Sequence, residues 1–152
     1  MKQAASPGCL TDNLGWLLGQ AEHVLAAEMS ARLEPLGLSS RRYCVLASAM
    51  TGDHTQIELA NLIGLDKTTM VVTLDVLEAD GLAKRMPSSR DRRVRVVKVT
   101  EAGERRVAKA RKVIEATQKE MLERLPAAER SALLSGLTRL VCGARDTNGS
   151  AP

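Results

Sequence analysis

The chain has 152 residues, 44% of them apolar and 26% charged, with a formal net charge of +4. This is a one-domain length with enough aliphatic content for a core, which excludes a disordered chain. No apolar run reaches the ~18 residues of a membrane span, and residues 1–7 lack the apolar stretch of a secretory signal, so a cytoplasmic protein is expected. Trp16 and Tyr43 are the only aromatics, too few for base-stacking platforms on single strands or RNA. The cysteines Cys9, Cys44 and Cys142 form no C-x-x-C pair, and the only histidines are His23 and His54. Neither a disulfide framework nor a metal site is expected, and no cofactor.

Residues 1–10 and 146–152 read as flexible ends around a single unit, 11–145. Leu14, Leu17, Leu18, Ala21, Val24, Leu25, Met29 and Leu33 follow helical spacing, with Thr11 or Asp12 as cap and Pro35 and Gly37 as terminators. Ser39 caps a second helix containing Tyr43, Val45, Leu46 and Ala49. Thr55-Gln56-Ile57-Glu58 is a capping box opening a short helix that halts at Gly64. Asp66 caps a fourth helix to about Ala79, with Met70, Thr73, Leu74 and Leu77 inward and Thr68, Val71, Val72 and Asp75 outward. Leu82–Met86 and Val94–Val99 read as a hairpin around Pro87–Arg93. The alternation is imperfect, because Val94, Val96 and Val97 cannot share a face. A long helix to about Leu125, broken by Pro126, precedes a last helix with Leu133, Leu134, Leu137, Leu140 and Val141. The fold class is mainly α with a small β-hairpin.

Residues 84–98 hold seven basic residues and one aspartate. That local +6 exceeds the whole chain's +4, so one segment carries the positive balance and points to a polyanion. Just before it, two short helices joined by a Gly-containing turn have the form of a helix-turn-helix, whose second helix enters the major groove. Together they read as a winged helix-turn-helix, about 39–100, on double-stranded DNA. Lys67, Thr68, Thr69, Val71 and Val72 are candidate contacts on the second helix, with Thr55 and Gln56 at the start of the first. Thr hydroxyls bond base edges and Val side chains touch thymine methyls. Arg90, Arg92, Arg93 and Arg95 are the wing candidates, since arginine suits a narrow A·T-rich minor groove.

Asp91-Arg92-Arg93, five residues and Val99-Thr100 resemble the wing motif of MarR-type regulators (multiple-antibiotic-resistance repressors). Leu14–Leu18, Glu58–Thr69 and Thr100–Gly103 are similar to that family's first helix, helix-turn-helix and post-wing turn. The resemblance implies a homodimer on a pseudo-palindromic operator, usually a repressor released by a small ligand or an oxidant. It implies dimerisation helices at about 11–34 and 104–145, Asp91 bracing the wing tip and Arg93 in the minor groove. Ligand-responsive relatives bind small anionic phenols, for which Trp16, His23 and Tyr43 are the suitable side chains. Two departures stand out: Val71, Val72 and Val76 replace the Arg or polar residues frequent on the reading helix, and Pro126 replaces a common Ser cap.

The family's redox branch places a reactive cysteine where this chain has Gly15. Cys44 and Cys142, beside apolar residues on helices, read as buried structural thiols. A redox sensor of the same fold and a helical protein-interaction module are the alternative functions. An enzyme is not expected, because no nucleophile elbow, P-loop, H-E-x-x-H or G-x-G-x-x-G occurs.

Overall fold

The computed structural model describes residue 10 and residues 12–148, the last six of these for their backbone alone. Residues 1–9 with Cys9, the candidate cap Thr11, and 149–152 lie outside the described residues. The elements are α1 (Leu14–Leu33), a 3-10 turn (Glu34–Leu36), α2 (Ser40–Ala49), α3 (Gln56–Ile63), α4 (Lys67–Ala79), β1 (Ala83–Pro87), β2 (Arg95–Val99), α5 (Glu101–Leu122) and α6 (Ala127–Asn148). The chain divides into two compact units inside α5, one ending at Ile114 and the other beginning at Glu115.

In the first unit, α1 is capped by Asn13, whose Oδ1 accepts from the Trp16 amide at 2.9 Å, rather than by Thr11 or Asp12. Ser39 caps α2 as expected, accepting from the Arg42 amide. Gly37, at φ 63°, supplies the left-handed turn between them. The core is aliphatic, as the scarcity of aromatics requires: Leu33, Val45, Leu46, Leu59, Met70, Leu74, Leu77, Val97 and Val107 pack together. Of the α1 stripe only Met29 and Leu33 are buried; Leu14, Leu17, Leu18 and Val24 are exposed.

The strands form an antiparallel hairpin with Ala83 opposite Val99, Arg85 opposite Val97 and Pro87 opposite Arg95. Val96 and Val97 are both buried while Val94 is exposed. The second edge of β2 explains part of this irregular pattern. His54 makes an isolated bridge to Val97, whose amide donates to the His54 carbonyl at 2.9 Å. The strand is thereby enclosed on both sides at that point.

Thr100 joins hairpin to α5. Its hydroxyl donates to the Gly81 carbonyl at 2.7 Å and accepts from the Gly103 amide at 3.1 Å. Gly103 is buried. A Cβ there would overlap the Leu82 carbonyl oxygen and come 2.6 Å from Val99 Cγ1. Because the obstacle is backbone, Gly103→Ala is expected to destabilise the first unit by about 1–3 kcal/mol despite alanine's better helix propensity. Urea denaturation measures this, and a variant as stable as the parent would refute the packing.

In the second unit, α5 ends at Leu122, earlier than the expected Leu125. The amides of Arg124 and Leu125 bond three residues back, to Met121 and Leu122. This tightened turn precedes Pro126, which disfavours a helical conformation in the residue before it. Helix α6 starts after the proline, with the Glu129 amide on the Pro126 carbonyl at 3.0 Å. Arg130 Nε donates to the Leu125 carbonyl at 2.9 Å. Leu133, Leu134, Leu140 and Val141 are exposed.

Candidate nucleic-acid interface

Both helices of the helix-turn-helix start on side-chain caps. Thr55 Oγ1 accepts from the Glu58 amide at 3.2 Å, and Glu58 Oε2 accepts from the Thr55 amide at 2.7 Å, closing the capping box. Gly64, at φ 71°, makes the turn. Asp66 Oδ1 then accepts from the Thr69 amide at 2.9 Å and Oδ2 from the Thr69 hydroxyl at 2.5 Å. These bonds hold both carboxyls below the ordinary carboxylate range: Glu58 mainly through the Thr55 amide, Asp66 mainly through the Thr69 hydroxyl. Both carboxylates are thus charged at neutral pH, where they complement the partial positive charge of a helix N-terminus.

Helix α4 buries Met70, Thr73, Leu74 and Leu77, the four positions expected inward. Lys67, Thr68 and Val72 are exposed. Two candidates differ from expectation. Val71 is half-buried, and its carbonyl lies 3.4 Å from Arg85 Nη2. The Thr69 hydroxyl is committed to Asp66. Thr55 and Gln56 sit half-buried at the start of α3, Thr55 as its cap.

The wing loop closes with the Ser88 amide on the Val94 carbonyl at 2.8 Å and the Val94 amide on the Asp91 carbonyl at 3.0 Å. Asp91 Oδ1 accepts from the Arg93 amide at 2.9 Å, an Asx-type contact that shapes the tip from within. Arg90, Arg92, Arg93 and Arg95 are exposed, as is Lys84. None of these five is in an ion pair among the described residues.

The other two basic residues of this segment are engaged. Lys98 pairs with Asp53, and that bond lowers the Asp53 carboxyl's pKa. Arg85 was not among the sequence candidates, yet it links wing to reading helix. Its amide donates to Glu78 Oε1 at 2.6 Å, and its guanidinium pairs with Glu78 and, at 2.8 Å, with Asp75. One signal could have found it. Strand alternation places Arg85 on the inward face with Ala83, where a cation needs a carboxylate.

Among the ligand candidates, Trp16 and Tyr43 are half-buried and His23 is exposed. Tyr43 packs against the core of the first unit. A cleft of about 480 Å³ lined by residues from Ser30 to Arg42 includes none of the three. Cys44 and Cys142, expected to be buried, are both exposed. Their helical positions beside apolar neighbours misled, because adjacent residues on a helix point about 100° apart. Partial desolvation still pushes the Cys44 thiol up, away from the reactive thiolate.

Residues 46–94, from within α2 to the end of the wing loop, match the model of the MarR family. The chain is also similar to the transcriptional repressor CouR bound to a 23-mer DNA duplex, at 28% identity over 91% of this chain and 99% of that one, with a TM-score of 0.83. Over residues 46–94 the chain is thus similar to the MarR family. CouR from Rhodococcus jostii RHA1 has also been solved with p-coumaroyl-CoA, at 28% identity over 86% of this chain and 93% of that one, TM-score 0.76. The regulator BldR from Sulfolobus solfataricus matches at 27% identity over 85% and 92%, TM-score 0.74. The elements described above, a capped helix pair followed by a two-stranded hairpin, have the winged-helix arrangement of these structures. No helix among the described residues is long and apolar enough to cross a membrane.

Proposed function

We propose that the protein is a sequence-specific, double-stranded-DNA-binding transcriptional regulator: a homodimeric repressor, released by a small-molecule effector, acting in the cytoplasm and without catalytic turnover. One observation carries the reading. A single compact unit presents a side-chain-capped helix with an exposed outer face and, tied to it through Arg85, a loop whose arginines are exposed. Helix and cationic tip match the two elements with which winged proteins contact a major groove and the adjacent minor groove. Lys67 serves phosphate, Thr68 and Val72 face the bases, and Arg90, Arg92, Arg93 and Arg95 serve the flanking groove and backbone. Thr55, Gln56, Thr69 and Val71 hold or border this surface. Asp91 braces the wing. CouR, solved with both a DNA duplex and p-coumaroyl-CoA, supports the pairing of operator with effector. Trp16, His23 and Tyr43 remain the proposed effector contacts. Footprinting on the DNA upstream of its own gene tests the reading; no protected site on any duplex would refute it.

The exposed leucines supply the argument for a dimer. Leu14, Leu17, Leu18 and Val24 on α1, and Leu133, Leu134, Leu140 and Val141 on α6, are each more than 40% exposed. Each fully buried side chain of this size is worth roughly 1.5–3 kcal/mol, so two such helices per chain suit a stable interface. Sedimentation equilibrium at micromolar concentration is expected to return about twice the 16.4 kDa chain mass. A monomer at that concentration would contradict the two-half-site reading.

A further inference from the structure

The outer face of α4 has few hydrogen-bonding groups left for a base. Its exposed residues are Lys67, Thr68, Val72, Asp75, Val76 and Ala79. The Thr69 hydroxyl is given to Asp66, and the Thr73 hydroxyl to the Thr69 carbonyl at 2.7 Å. Asp75 is drawn to Arg85 at 2.8 Å, and its carboxylate repels phosphate. What remains is the row Thr68, Val72, Val76, at spacings of four, with the valines 57% and 41% exposed. This row is about 12 Å long, the span of three to four base steps at ~3.4 Å each. Valine is a poor choice for an exposed helical position: its branched Cβ loses rotamer freedom and its methyls gain nothing from water.

We infer that the half-sites are read chiefly through thymine 5-methyl groups seated against Val72 and Val76, with Thr68 giving the one direct side-chain hydrogen bond to a base edge. The inference rests on the proposed DNA-binding function and names the feature of the duplex that is recognised. In the major groove thymine alone presents a methyl, and an aliphatic side chain distinguishes it by contact rather than by a donor–acceptor pattern. The neighbouring cations supply the affinity that places this apolar row in the groove. The half-sites are therefore rich in thymine at two positions about two base steps apart.

Replacing thymine by uracil deletes the methyl and keeps every base-pairing group. Duplexes recovered by the full-length protein from a random pool are resynthesised with uracil at single thymine positions, and their affinities compared. Substitution at the two positions is expected to weaken binding about fourfold per methyl, and about fifteenfold when one position is substituted in both half-sites, the equivalent of ~0.8 kcal/mol per methyl. Val72→Ala and Val76→Ala, both at exposed sites that leave the core intact, should each erase the sensitivity at one position. Their losses are then less than additive with uracil, as contact requires. Uracil-insensitive binding to recovered duplexes, or valine variants that leave the sensitivity unchanged, overturns the inference and leaves the proposed function standing. Recovery of no duplex overturns both.

Discussion

Affinity for operator duplex is expected to fall by about 10³–10⁵-fold between 50 and 200 mM salt, the loss that accompanies neutralisation of roughly 6–10 phosphates. The exposed cations set this range. Lys84, Arg90, Arg92, Arg93 and Arg95 are exposed on this chain, and Lys67 opens α4. Arg85 and Lys98 are held by carboxylates and add little, so the local +6 overstates what reaches DNA. Fluorescence anisotropy over a salt series gives the slope. A flat profile would exclude electrostatic duplex binding, the outcome anticipated for a helical protein-interaction module.

Arg93→Ala is expected to weaken binding by roughly 1–3 kcal/mol per half-site, hence about twice that for a dimer on both, and to reduce the salt slope by about one per contact removed. Arg93 is exposed, and its backbone amide is already fixed by Asp91. The substitution therefore removes a side chain from an ordered tip without loosening the loop. The minor groove carries a degenerate base code, so the lost preference should fall at flanking A·T steps. Thr68→Ala should relax preference inside the half-site and leave the slope unchanged, since no charge is lost. Selection from a random pool with each variant separates the two. If Arg93→Ala altered central positions and Thr68→Ala none, the assignment of α4 as the reading helix would fail.

Features written locally were legible in the sequence. Ser39, Thr55 and Asp66 cap the helices assigned to them, and Gly37, Gly64 and Gly81 take the positive φ of the turns. A cap needs only three or four residues of context. Non-local features were not legible. The adjacent burial of Val96 and Val97 involves His54, over forty residues away in sequence, at the second edge of β2. The role of Arg85 needed the strand's facing direction together with two carboxylates on α4. Thr69 was legible as a hydroxyl near a helix start, but it is half-buried and its bond to Asp66 competes with the role expected of it. Exposure misled at Cys44 and Cys142, because apolar neighbours in sequence need not share a helix face.

The attachment of the wing has a mechanical consequence. Strand β2 is held by β1 along one edge and by the segment preceding α3 at the other, through His54; β1 is fastened to α4 by Arg85. Helix α4 and the base of the wing are thus joined into one body by ion pairs and strand bonds. In the proposed dimer the distance between two such bodies is a separate coordinate, outside these bonds. Successive major-groove faces recur every ~34–36 Å, so the pair in the proposed dimer would act as calipers set to the pitch of the duplex. An effector that spreads or closes the jaws by about one base step, ~3.4 Å, would put both heads out of register at once without disturbing either.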